Sequence, residues 1–292
     1  MDNYENTAFI ISFVSYSIAI LLYLGYVVNK HEGIGKLATL ITGFGWGINT
    51  LALILRGVNA GRLPLTNGYE FLIAFTWGIV LFYLFFEHRY GLKTVGLFVI
   101  PVAWILLAYV AVEMPISQRA ITPLMPALKS NWLSVHVATA ILSYGAFALS
   151  FGLAVMYLIK ERCKKRKTNS MKITSLIGHL PGMELLDELS YRFITFGFFL
   201  LSLVIVSGAI WAEQAWGSYW SWDPKETWSL ITWLIYAACL HARHTYGWRG
   251  HRSSVLAVIG FIAVLFTFFG VNYLLPGLHS YAIALFSSQL CL

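Results

Sequence analysis

Eight long apolar runs constrain this chain more than any other feature. They cover about 8–28, 38–55, 69–86, 94–113, 135–159, 193–212, 227–244 and 255–273. Each is close to the roughly 20 residues that a helix needs to cross about 30 Å of hydrocarbon. Inside lipid the backbone must satisfy its own N–H and C=O groups, so the runs predict α-helices. With 58% of residues hydrophobic and 11% charged, an ordinary soluble domain is excluded. The expected fold is all-α: a polytopic membrane protein of about eight transmembrane helices, one domain over 1–292, with four N-terminal helices in 8–113. Asp2 and Glu5, rather than basic residues, precede the first run, which therefore reads as a retained helix with its N-terminus outside.

Charge gives the expected orientation. With the N-terminus outside, fifteen of the 20 Lys and Arg residues fall in inside loops, including the run Lys160 to Lys167. Only Arg56, Arg62, Arg119, Lys129 and Lys225 fall outside. This is the positive-inside pattern. The net charge of +7 is used up by that asymmetry, so nucleic acid is not an expected partner. Cys163, Cys239 and Cys291 form no CxxC and suggest neither a metal site nor a disulfide framework.

Between the sixth and seventh runs lies Trp216-Gly217-Ser218-Tyr219-Trp220-Ser221-Trp222-Asp223-Pro224-Lys225-Glu226-Thr227-Trp228. Its charges are too costly for the hydrocarbon interior, and its aromatics are too many for a solvated loop. Flat amphipathic rings belong at the membrane surface, here the outer one. Such a stretch either anchors the protein or grips something flat. Asp223-Pro224 reads first as a turn, with Lys225 and Glu226 solvated or in contact with a ligand.

Of eight histidines, His31, His88, His179 and His251 sit in or beside inside loops among basic residues, where solvation explains them. His136, at the outer mouth of the fifth run, and His279, after the eighth, fall on the side of the Trp-rich stretch. Spacing alone leaves two readings: unrelated interfacial histidines above an aromatic belt, or ligands for a planar, metal-centred molecule. His241 falls roughly 22 Å along the seventh helix, within the inner half of the bilayer, where an ionisable group is a functional candidate.

The series Trp216-Gly217-x-x-Trp220-x-Trp222-Asp223-Pro224-Lys225-Glu226-x-Trp228, continuing to Trp233 and Leu240-His241-x-Arg243, resembles the WWD signature of the haem-handling membrane proteins of cytochrome c biogenesis. Histidines before the loop and after the last helix match as well. Length and helix number look most like the CcsA/ResC family (also called CcsB in some naming schemes) of the system II cytochrome c synthase. The strong match covers roughly 128–281, read as a haem-handling core with its WWD loop at 216–228; Pro64-Leu65-Thr66-Asn67-Gly68-Tyr69-Glu70 matches a family loop more weakly.

The resemblance implies haem b as substrate and ligand, delivered across the membrane and joined to the CxxCH segment of apocytochrome c. It implies that His136 and His279 ligate the haem iron and serve the reaction, beneath a loop whose Trp216, Trp220, Trp222, Asp223 and Trp228 hold the porphyrin. It implies that His241 ligates a second, intramembrane haem, with the opposite ligand supplied by a CcsB/ResB-type partner subunit. Holocytochrome c synthase (haem-lyase) activity is then expected only in that complex. Other expected partners are apocytochrome c, thiol-reducing proteins and membrane lipid. The implied location is the bacterial cytoplasmic membrane or the plastid thylakoid membrane, with the loop on the periplasmic or lumenal side. The alternative is a haem exporter or chaperone without attachment activity, like CcmC. An electron-transfer cytochrome b is disfavoured, since no run carries the paired histidines that two stacked haems need.

Overall fold

The computed structural model describes residues 3–124, 126–165, 180–275 and 277. Among these residues every regular element is helical. The long helices are α1 (Asn3–Asn29), α2 (Glu32–Ala60), α3 (Gly68–Tyr90), α4 (Gly96–Val112), α5 (Asn131–Lys165), α6 (Met183–Trp216), α7 (Pro224–Tyr246) and α8 (His251–Leu265). The chain leaves α8 through a π-helical turn, Phe266–Gly270, and a last helical turn, Val271–Leu274.

Seven of these helices are long and apolar enough to cross a membrane, α8 together with its π turn. The eighth span, expected over 227–244, is the helix α7. Its 23 residues give it spanning length at about 1.5 Å per residue. It falls short in apolarity because it carries Lys225, Glu226, His241, Arg243 and His244. Packing against α6 and α8 spares it part of the lipid contact that would otherwise demand an apolar surface.

Helices α5 and α6 pack against each other along their length and form the spine, with α3 and α8 laid on α5. Helix α1 packs on α2 and α4 at the periphery, where Ile10, Val14, Leu21 and Val28 remain exposed. An exposed apolar side chain on such a helix suits contact with lipid. In the middle of the bundle the rings of Phe147 on α5 and Tyr236 on α7 stack face to face, 3.8 Å apart and within 3° of parallel.

The two ends of the bundle are closed differently. At the end holding the Trp-rich stretch, Arg56 is 1% exposed and is held from several sides. It reaches Glu70 at 3.0 Å and Glu5 at 3.4 Å, and donates to the Arg119 carbonyl at 2.7 Å. Arg62 adds a second pair to Glu70 at 3.0 Å, and Asn67 caps α3 by accepting from Glu70 N at 2.8 Å. The cluster fastens the 61–67 loop to α1 and α3. At the opposite end Arg243 pairs with Asp187 at 2.8 Å, and Gly250 N donates to the other Asp187 oxygen at 2.8 Å. Lys160 there donates to the carbonyls of Leu180 and Pro181. Residues 166–179, with Arg166, Lys167 and His179, lie outside the described residues, and from Met183 the chain is already in α6.

Candidate functional site

The site begins where α6 stops. Gly217 takes φ +74°, the left-handed conformation that ends a helix cheaply only for glycine. The chain turns through Trp222, also at positive φ (58°), and re-enters a helix at Pro224. Proline suits that first position, where its missing N–H costs nothing. The turn is closed by a reciprocal capping box. The Asp223 carboxylate accepts from Lys225 N at 2.9 Å, and Glu226 accepts from Ser221 N at 2.8 Å and Asp223 N at 3.2 Å. The expected turn role of Asp223 and Pro224 is therefore what the structure displays.

Beneath this turn is a cavity of about 320 Å³, bounded by the 65–68 loop, α3, α5, α6, the first turns of α7 and the π turn after α8. That is the lower end of the size range of ligand pockets, about 300–1,000 Å³. His136, Trp216, Tyr219, Trp220, Phe71 and Phe268 line it. Lys225 and Glu226 supply the charge in its wall.

His136 is held by one face of α6. Its Nδ1 lies 2.9 Å from the Val204 carbonyl oxygen, and since a carbonyl only accepts, Nδ1 carries the proton. The lone pair is then on Nε2, the tautomer in which an imidazole ligates a metal. Trp211 lies nearly parallel to the imidazole, 6.2 Å away and within 19°. Trp216 meets Trp211 edge-on at 6.0 Å. Gly208 makes the approach possible: a Cβ there would come within 2.8 Å of the imidazole. Val204, Gly208 and Trp211 recur at helical spacing, so α6 presents them as one shelf. The sequence reading missed this shelf, although its spacing runs directly into the Trp-rich stretch.

Other expected site residues are placed elsewhere. Trp222 is 69% exposed and meets Trp220 edge-on at 5.7 Å. Trp228 packs on Phe266 of the π turn, ring centroids 4.1 Å apart. Neither is among the described residues that line the cavity. His241 stands near the far end of α7, roughly 25 Å along the helix from Pro224. Its side chain is exposed on the outside of the bundle, with Tyr246 edge-on at 6.1 Å. His279 lies outside the described residues. Gly277, two positions earlier, packs so tightly on Asp223 and Pro224 that a Cβ there would collide with both.

Lys225 reaches from the first turn of α7 toward the cavity. Its Nζ donates to Asn272 Oδ1 at 3.2 Å and lies 5.8 Å from the centroid of the Phe268 ring. Flat aromatic surfaces, one imidazole in ligating tautomer and one cation make a site suited to a planar, largely apolar molecule that carries a metal.

Comparison with known proteins gives the family of the chain. The profile of the family described as Cytochrome C assembly protein matches residues 65–279. The chain is 39% identical to the cytochrome c biogenesis protein CcsA of Guillardia theta over 291 residues, covering 96% of each chain. It is 39% identical to the CcsA protein of Prochlorococcus marinus over 250 residues, 79% of each. Among solved structures, the cytochrome c haem lyase CcmF aligns with a TM-score of 0.66 at 16% identity, over 91% of this chain and 46% of that one. The chain thus spans under half of that larger protein, and at this identity the likeness is one of fold.

Proposed function

Because the chain belongs to the cytochrome c assembly protein family, and within it to the CcsA proteins, we propose that it delivers haem across the membrane and joins it covalently to apocytochrome c. A role in cytochrome c biogenesis comes with that membership. The observation that carries the finer reading is the cavity under the Trp-rich turn, with His136 fixed in its ligating tautomer by Val204.

In this reading haem b is the substrate. His136 and His279 ligate its iron, and Trp216 and Trp220 cover the ring. The two cysteine thiols of a CxxCH segment add across the two vinyl groups. Each sulfur bonds to a vinyl carbon, each thiol proton goes to the neighbouring carbon, and no electrons are exchanged overall. The chain's contribution is position. Holding thiol and vinyl within reach is worth several kcal/mol of barrier, and no nucleophile of its own is needed. The histidine of CxxCH then replaces one protein ligand and so aids release.

His241 serves a second haem within the membrane, and its outward exposure suits an opposite ligand from a CcsB/ResB-type subunit. Orientation follows from charge: the Trp-rich turn faces the periplasm or thylakoid lumen, and the basic loops face inward.

The test is reconstitution of the full chain with its partner, haem and a CxxCH peptide, under reducing conditions for the thiols. Haem that migrates with the peptide under denaturing conditions supports the proposal. Haem bound at the cavity with no covalent product would make the protein an exporter or chaperone, like CcmC.

A further inference from the structure

Three charged side chains stand together in the Trp-rich turn, and two of them are occupied. Asp223 caps α7, and Glu226 accepts from the backbone of Ser221 and Asp223. These bonds hold the turn in shape and leave the carboxylates committed to it. Lys225 differs. It makes no ion pair among the described residues. Its hydrogen-bond partner is the neutral side-chain amide of Asn272, itself 1% exposed. The surrounding wall is mainly apolar, with Phe71, Val137, Ala140 and Phe268 on it.

An ammonium group in such a place has given up part of its water for a neutral hydrogen-bond partner, and the nearest carboxylate, Asp223, is already committed to the helix cap; such burial is costly unless a further opposite charge is supplied. We propose that Lys225 binds a carboxylate of the ligand in the His136 cavity, namely a propionate of the porphyrin. The proposal rests on the haem reading of that cavity. Lys225 acts as a positioning residue. Fixing one edge of the porphyrin by charge, while His136 fixes the iron, leaves rotation about the iron axis no freedom. The vinyl edge is then held in one place for the incoming thiols. The charge also separates this ligand from flat apolar molecules that the aromatic surfaces alone would accept.

The experiment uses the full chain in complex with its partner, stripped of haem and titrated with iron protoporphyrin IX or with its dimethyl ester. The ester keeps the ring, the vinyls and the iron and lacks the anionic edge. Wild type should prefer the free acid by about tenfold or more, the range for a hydrogen bond to a charged group. Lys225→Met should weaken binding of the acid by that factor, leave the ester unchanged, and so abolish the preference. Lys225→Arg should keep most of it.

Equal weakening of acid and ester by Lys225→Met would make Lys225 merely structural and overturn the proposal. So would an unchanged preference, or unchanged porphyrin binding with a raised KM for the CxxCH peptide, which would assign the carboxylate to the peptide. If wild type binds neither porphyrin, the haem reading itself fails and takes this proposal with it. If wild type binds both equally, only this proposal fails.

Discussion

His136 and His241 belong to the same chain and are surrounded in opposite ways. His136 has a cavity in front, a tryptophan beside it and a carbonyl fixing its tautomer. His241 has Tyr246 edge-on and an exposed face on the outside of the bundle. A ligand position is built by what surrounds the imidazole as much as by the imidazole, because neighbouring groups fix its orientation and basicity. The first position is largely walled by this chain; the second stands open on the bundle surface, and in the proposed reading another subunit covers it.

Replacing His136 breaks that contrast most severely. His136→Ala in the complex should remove detectable covalent product, and added imidazole should restore part of it by filling the vacant place. Haem staining of the product and the absorption spectrum of the complex check both. His241→Ala should leave the spectrum of the outer site intact and remove only the haem that depends on the partner.

Arg56→Met tests the wall rather than the ligand. It leaves Glu5 and Glu70 as buried carboxylates short of a counter-charge, at a cost of about 3–5 kcal/mol. Thermal unfolding in detergent should show the loss, and haem retention at the outer site should fall while His241 is unaffected. An unchanged midpoint would mean that the cluster does not hold the 61–67 loop.

Gly208→Val narrows the test to the shelf. Overpacking of this kind costs about 1–3 kcal/mol. The displaced imidazole should shift the haem spectrum, while Gly47→Ala, with nothing within 4 Å of its Cβ, should not. The smallest effect belongs to the cap. Asp223→Ala should cost about 1 kcal/mol of stability and Asp223→Asn much less, since asparagine caps nearly as well. Equal losses in the two variants would point to a role for the charge itself.

The all-α, polytopic fold was legible in the sequence because apolar runs of spanning length allow little else. The Trp-rich turn was legible because Asp223-Pro224 is a local turn signal; the part of Glu226, which accepts from Ser221 N and Asp223 N to close the cap rather than standing in solvent, was not. What was hidden depends on distance along the chain. Arg56 read as a loop charge outside the membrane, yet it is buried between Glu5 and Glu70, residues whose meeting no local pattern announces. The π turn at Phe266–Gly270 hides inside a continuous apolar run, although such turns often mark functional sites. Trp222 and Trp228 looked equivalent to Trp216 and Trp220 in spacing. Only the turn geometry sends one outward and packs the other on Phe266.

The cavity at His136 is built within this chain, whereas His241 stands on the bundle surface. The most direct test is haem titration of the purified full chain without its partner, followed by absorption spectroscopy on wild type, His136→Ala and His241→Ala. One haem with histidine ligation is expected, lost in His136→Ala and retained in His241→Ala. Loss in His241→Ala with retention in His136→Ala would contradict it.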